Sequence, residues 1–346
     1  MKELIFKNIK KKLVFSFFII LSILVLFELI LRIINLGYLS FSLERSDVFH
    51  HKNLENNYFT SYDFSNEKEW NNVDIFYDDL GNRFNGTNKN KNKNSNKYIF
   101  LGDSFTEALQ IRWEKTFVGL VEKKFKNHEI INLGVTTYSP SIYYLKIKQD
   151  INDYKNIDKL IIQIFNYDFI DDEYYKVYSN VPNISNPKEY ISKLKYISPQ
   201  KDMNRKREIV DFFKKQLKKS YLIRYLKKIQ KTYFYQKVTW TNPTETFVRQ
   251  NSITINALIK IKEICQSKNI DLSIFMIPDK KKLIKNENDI HYNEFKKIMK
   301  NNNFNFIDIL PYFNGHNDLF FKKDLHLTEK GHEVLSTVLI NYLMSN

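Results

Sequence analysis

Residues 98–107 read Tyr98-Ile99-Phe100-Leu101-Gly102-Asp103-Ser104-Phe105-Thr106-Glu107. An apolar run of strand length passes without a spacer into a Gly-Asp-Ser turn and then into helix formers. Downstream, four more short apolar runs read as buried strands: Glu129–Leu133, Lys159–Phe165, Leu272–Ile277 and Asn305–Ile309. Amphipathic stretches of helical length separate and follow them, at Thr116–Lys126, Ser141–Ile151, Asn256–Lys268, Tyr292–Asn301 and Thr328–Met344. Strand–helix alternation of this kind predicts an α/β domain, a parallel sheet with helices on both faces. In such sheets ligands bind beyond the carboxyl ends of the strands, which sets Ser104 at the mouth of the crevice.

Working outward, the rhythm breaks between about Asp172 and Thr246, a Tyr- and Lys-rich interval with one basic amphipathic stretch at Ile209–Ile229. It reads as an inserted lid or cap. Asn85–Lys97 is a Lys/Asn tract of low complexity, read as an exposed loop, and a strand is expected at Val73–Tyr77 before the turn Asp78-Asp79-Leu80-Gly81. Near the amino end Leu13–Phe27 is uncharged and apolar, and the apolar character continues to Leu36, broken only by Glu28, Arg32 and Asn35. About 24 residues of this kind are enough to cross a bilayer with some tilt. Glu28 and Arg32 stand at i and i+4, so a helix pairs them on one face. Lys2, Lys7, Lys10, Lys11 and Lys12 precede the run, which places the amino terminus inside and the remainder outside. No small-residue cleavage site follows, so an uncleaved anchor is expected. The domain division is then 1–37 for tail and anchor, 38–97 for a membrane-proximal segment, and 98–346 for the α/β domain with its cap at about 172–246.

Composition narrows the classes further. In 346 residues, 43% hydrophobic and 15% aromatic content exclude a mostly disordered chain. One cysteine excludes a disulfide framework and Cys-based metal clusters. The net charge of +15 is spread through Lys/Asn tracts with no nucleic-acid-binding motif, so no nucleic-acid partner is expected.

A serine nucleophile needs a base, because its hydroxyl is almost wholly protonated on its own. Of seven histidines, His326 has the best context, Asp324-Leu325-His326-Leu327-Thr328, ahead of the last helix. In an extended segment residues i and i+2 share a side, so Asp324 can orient the imidazole, and Thr328 suits a helix N-cap. The same residues also fit a solvated loop, as Gly-Asp-Ser also fits a plain helix cap. His332 reads as a surface or packing residue, while His50, His51, His128, His291 and His316 show no clear partner. No His pair at i, i+4 stands beside a glutamate, so neither a metal nor a cofactor is expected. Gly134 and Asn166 end the second and third candidate strands. A backbone N–H at Gly134 and the Asn166 amide can donate to an oxyanion; an ordinary turn glycine and a strand-terminating Asn are the competing readings.

Together these blocks resemble the SGNH/GDSL hydrolase superfamily over about Tyr98 to the carboxyl end. Gly102-Asp103-Ser104-Phe105-Thr106-Glu107, the Asp324–His332 block and Leu80-Gly81-Asn82-Arg83 look like its membrane-anchored branch among bacterial cell-envelope glycan proteins. The resemblance implies a flavodoxin-like three-layer α/β/α sandwich of about five parallel strands. It also implies Ser104 as nucleophile, His326 as base, Asp324 as orienting acid, and an oxyanion hole from Ser104, Gly134 and Asn166. The sequence departs from the family at the third block, where Tyr167 separates Asn166 from Asp168 and the preceding glycine is absent. The implied activity is a serine esterase or O-acyltransferase on acyl esters, acetyl above all, of envelope polysaccharide. Acylated glycans or small esters are then substrates, with other envelope polysaccharide biosynthesis proteins as partners. A non-catalytic glycan-binding or assembly protein on the same fold is the alternative.

Five lysines before the apolar run give a direct expectation. A reporter fused at the carboxyl end of the full chain is active if it works only outside the cytoplasm. Activity of a cytoplasm-only reporter from an intact, membrane-inserted fusion would reverse the topology.

Overall fold

The computed structural model describes residues 2–33, 43–46, 48–61, 63, 69–87, 95–172, 220–223, 225–226, 248 and 252–345. Most of the cap expected at 172–246, and residues 88–94 of the Lys/Asn tract, lie outside the described residues. The chain divides into two compact units, one of residues 1–40 with 200–240 and one of 41–199 with 241–346.

In the first unit, helix α1 (Lys2–Ile33) includes the 23-residue span Lys11–Ile33, within which an 18-residue window reaches a mean hydropathy of 2.9. It is long and apolar enough to cross a bilayer. The expected ion pair is present, with Arg32 Nε and Nη2 each 2.8 Å from Glu28 Oε1. Glu28 also accepts from Ser220 Oγ at 2.8 Å, Tyr221 N at 2.9 Å and Leu222 N at 2.8 Å. A carboxylate on an apolar helix is expensive unless it is hydrogen-bonded, and here one chain segment supplies three donors to it.

The second unit is built on a sheet whose parallel part runs β7-β6-β8-β9-β10. These strands are β6 (Lys97–Leu101), β7 (Glu129–Asn132), β8 (Ile157–Ile164), β9 (Asp271–Met276) and β10 (Asn305–Phe306). In order of appearance this is 2-1-3-4-5, the flavodoxin-like arrangement. Chain direction across the sheet reverses after β7, so right-handed crossovers put the first helix on one face and the next three on the other. Accordingly α3 (Phe117–Lys124) packs with the last helix, α9 (Glu329–Ser345), while α4 (Pro140–Asp150) packs with α5 (Ile253–Ser267). Side-chain caps start several helices where the sequence supplies a short polar residue. Thr116 Oγ1 takes Gly119 N, and Ser252 Oγ takes Ile255 N. The middle of β8, Leu160 to Ile164, is buried throughout, as a central strand covered on both faces requires.

Three further strands extend the sheet beyond β7 with antiparallel pairing. They are β5 (Arg83–Phe84), β4 (Val73–Tyr77) and β3 (Tyr58–Ser61), while β1 (Leu43–Ser46) and β2 (His50–Asn53) form a separate hairpin. The strands β3 to β5 therefore belong to the same sheet as the strands after them; β5 pairs Arg83 with Asn132 and covers what would be an open edge of β7.

Arg83 carries that extension into the heart of the domain. Its side chain is 1% exposed, and Nη1 donates to Glu107 O and to Ala108 O (2.5 Å), while Nη2 donates to Ile111 O (2.5 Å). Burial pulls its pKa down to about 10, with the nearby Tyr77 and Glu107 opposing, so the guanidinium is charged at neutral pH. Arg83→Met strips Glu107 O and Ile111 O of their donor and leaves Ala108 O with Ile111 N alone, and should lower unfolding stability by about 2–4 kcal/mol. Denaturant titration of the full chain in detergent measures it, and an unchanged midpoint would mean that the clamp contributes nothing to the fold.

Candidate active site

The site begins where β6 ends. A Cβ on Gly102 would collide with Thr106 Oγ1 and Gln163 Oε1, so the glycine is what lets those two side chains close on the strand end. Gln163, from the neighbouring β8, then holds the turn: its Oε1 accepts from Asp103 N at 3.2 Å and from Thr106 Oγ1 at 3.0 Å. Asp103 Oδ1 caps the following turn by accepting from Phe105 N at 2.8 Å. Ser104 is the first residue of that turn, α2 (Ser104–Glu107), which Ala108 closes in the left-handed conformation.

The structure brings Ser104, His326 and Asp324 together. His326 Nε2 lies 2.7 Å from Ser104 Oγ, although the two residues are 222 apart in sequence. His326 Nδ1 hydrogen-bonds Asp324 Oδ1, which also accepts from the His326 backbone N–H at 2.7 Å. Asp324 is an acceptor, so Nδ1 carries the proton and the Nε2 lone pair faces the serine hydroxyl. Burial pushes the Asp324 pKa up, but the hydrogen bonds from His326 outweigh it and hold the carboxyl below its ordinary range. The imidazole rests on Phe105, with ring centroids 4.9 Å apart.

The other two expected donors are engaged elsewhere. Gly134 N–H donates to Asn132 Oδ1 at 2.8 Å, so it is not a free oxyanion donor. What Gly134 supplies is space: a Cβ there would run into Glu107 N and the Thr106 carbonyl carbon. Asn166 Nδ2 donates to Asp279 Oδ2 at 3.0 Å, and its buried Oδ1 has no partner among the described residues. Flipping that amide would set an oxygen against the Asp279 carboxylate, so the nitrogen belongs there. Asp279 in turn caps α6 (Lys280–Ile284) through Lys281 N and Lys282 N, which ties Asn166 to that helix.

Several residues around Ser104 escape sequence reasoning. Glu107, 0% exposed, accepts from Tyr77 Oη, from Thr136 N at 2.7 Å and from Thr136 Oγ1. Asn132 Nδ2 donates to Thr106 O at 2.8 Å, and His51 Nε2 lies 2.8 Å from Thr136 O. The amide of Gln110 stands 3.1 Å from His326 Nδ1. A polar Asn at the end of an apolar strand was the one visible signal among these. His332 is a packing residue: burial drives its pKa down to about 3, and its Nδ1 accepts from Phe117 N at 3.2 Å. Among the described residues no group of three His, Cys, Asp or Glu is arranged to hold a metal.

Beneath the turn lie four buried or half-buried carboxyls, Asp103, Asp168, Asp171 and Asp172. Burial raises Asp103 to about 6, against the pull of the Phe105 N–H and of His326, and raises Asp168 well above the ordinary range. Asp172 is raised too, although Ser139, Ser141 and Thr254 all donate to it.

No family model and no curated protein matches the chain by sequence. Solved structures similar to it include a member of the lipolytic protein G-D-S-L family from Veillonella parvula DSM 2008. That match has 13% identity, covers 71% of this chain and 96% of the other, and has a TM-score of 0.38. A catalytic mutant of Axe2, an acetylxylan esterase from Geobacillus stearothermophilus, is 11% identical over 71% of this chain and 93% of its own, with a TM-score of 0.39. A GDSL-like lipase from Bacteroides thetaiotaomicron VPI-5482 is 10% identical over 75% and 92%, with a TM-score of 0.37.

Asp171 gives a pH test. Burial, then the charges of Asp172 and Asp103, raise its pKa from 3.8 to about 7. A carboxyl raised on folding stabilises fully below its unfolded pKa, and that contribution is lost as pH climbs to the folded value. Asp171→Asn should therefore gain stability over wild type by on the order of 1–3 kcal/mol between pH 4 and pH 8. Denaturant titrations at both pH values measure the gap; an equal gap at both would refute the shift.

Proposed function

We propose that this chain is a serine esterase or O-acyltransferase of the SGNH/GDSL superfamily, acting through an acyl-serine intermediate. The observation that carries the reading is the 2.7 Å contact of His326 Nε2 with Ser104 Oγ, with Asp324 behind the imidazole. Ser104 Oγ attacks an ester carbonyl while His326 Nε2 takes its proton, and Asp324 stabilises the imidazolium that forms. The negative oxygen is met by the Ser104 N–H, which has no protein acceptor among the described residues. His326 returns the proton to the departing alkoxide. Water then attacks the acyl-serine in an esterase, and a sugar hydroxyl attacks it in a transferase; both restore Ser104.

We assign the substrate to acyl esters, acetyl above all, of cell-envelope polysaccharide, with α1 as an uncleaved anchor and the α/β unit outside the cytoplasm. Support comes from the apolar 23-residue stretch and the lysines ahead of it. A non-catalytic glycan-binding or assembly role is the second reading. It is favoured by one observation, that Gly134 N–H and the Asn166 amide are already hydrogen-bonded within the protein.

A fluorophosphonate probe separates the two. The enzyme labels at Ser104, Ser104→Ala abolishes labelling, and His326→Ala slows it by about 10³-fold or more. Wild type that labels no faster than Ser104→Ala is the outcome expected of the assembly protein. Turnover of p-nitrophenyl acetate with and without an oligosaccharide acceptor then divides esterase from transferase.

A further inference from the structure

The loop that carries Asp324 has little secondary structure of its own. Phe320 bridges to Leu327, and Phe321 N donates to His326 O at 3.0 Å, which closes the ends. Between those ties the backbone of residues 321–324 is held by two charged side chains from distant parts of the chain.

Glu69 lies between β3 and β4, some 255 residues before the loop. Its Oε1 accepts from Lys323 N at 3.0 Å, and its Oε2 accepts from Lys323 N at 2.9 Å and Asp324 N at 3.0 Å. The carboxylate is itself placed by a backbone bond, Glu69 N to Asp63 Oδ2 at 2.5 Å, and the adjoining Trp70 ring packs on Phe321 at 5.3 Å. From the other side Lys280, at the start of α6, donates through Nζ to Phe321 O (2.5 Å), Lys322 O (2.8 Å) and Asp324 O (2.9 Å). An ammonium has three protons, and here each has its own carbonyl. One group takes the loop's N–H groups and the other its carbonyls, and the two carry opposite charge.

We propose that Glu69 and Lys280 are a positioning pair for the acid–base residues: together they fix the loop so that Asp324 meets the imidazole, and their charges offset one another there. The proposal rests on the triad reading for its purpose, though not for its geometry. Lys280 acts on Asp324 by charge as well as by hydrogen bonds, since it lies within electrostatic reach of both Asp324 and Glu69. The charged and titratable groups facing His326 are Asp324 on its own loop, Asp103 from the β6–α2 turn and His332 from α9. Lys322 and Lys323 on the loop are exposed. Removing Lys280's charge leaves the imidazole in a more negative field, and removing Glu69's leaves it in a less negative one.

The test uses the full chain in detergent with Lys280→Met, Lys280→Arg and Glu69→Gln. The readout is the pH midpoint of the His326 imidazole, followed by NMR on histidine-labelled protein. In parallel, kcat and KM are measured for p-nitrophenyl acetate against pH. The midpoint should rise by about half a unit in Lys280→Met and fall by a similar amount in Glu69→Gln, while Lys280→Arg keeps the wild-type value. In the same variants kcat should drop by about 10- to 100-fold with KM little changed, since the pair touches no substrate. Midpoints that stay put, or that move the same way in Lys280→Met and Glu69→Gln, overturn the proposal even in an active esterase. Should Lys280→Met not fold, the Glu69→Gln midpoint decides alone, and a fall supports the pair while any other result overturns it. Opposite shifts in a wild-type background with no esterase turnover and no Ser104 labelling would refute the catalytic reading and leave the pair standing.

Discussion

Everything at this site depends on one hydrogen bond between two loops that the chain reaches 222 residues apart, His326 Nε2 to Ser104 Oγ at 2.7 Å. A contact of that length tolerates little play, so each loop must be fixed in place by something other than itself. The Ser104 turn is clamped from three directions. Gln163 holds its start, Arg83 gathers the carbonyls at its end, and Asn132 bonds Thr106 O at its side. The histidine loop is held by Glu69 and Lys280. In both cases the clamping charge is bonded to backbone, whose groups cannot swing away as side chains do.

These clamps explain the three strands added to the five-stranded parallel core. Tyr77 and Arg83 arrive on β4 and β5, and Glu69 lies just ahead of β4. Tyr77 Oη bonds the Glu107 carboxylate and Arg83 bonds the Glu107 carbonyl, so the added strands grip the Ser104 turn by both ends of one residue. Strands β3 to β5, with Glu69, thus both close a sheet edge and complete the support of the site.

The acids below the turn work in the opposite sense. Asp103 caps α2 in a fully enclosed place, near Asp168 and Asp171, so burial and mutual repulsion favour their protonated forms. Such a cluster weakens the fold at neutral pH, while the cap bond it retains from Phe105 N still orients Ser104. The same crowding bears on the oxyanion. With Gly134 N–H bound to Asn132 and the Asn166 amide to Asp279, the proposed reaction relies on Ser104's own N–H to meet the developing charge.

Local pattern in the sequence was enough for the parallel strands, because apolar runs of strand length alternate with helical periodicity on either side of the 172–246 interval whatever the rest of the chain does. It was enough for Ser104, Asp324 and His326 as candidates, since a strand-to-helix serine and an Asp-x-His loop are short-range features. The roles of Gly134 and Asn166 needed the fold. Whether an N–H or an amide is free depends on Asn132 and Asp279, and no spacing reveals that Asp279 lies 3.0 Å from Asn166 across 113 residues. Glu69, Gln163 and Lys280 were invisible for the same reason, and Arg83 showed only as part of the Leu80-Gly81-Asn82-Arg83 block, without the carbonyls it holds. Each is a common polar residue whose meaning lies in its acceptors or donors, and those are chosen by how the sheet and its loops close in space, not by neighbours along the chain.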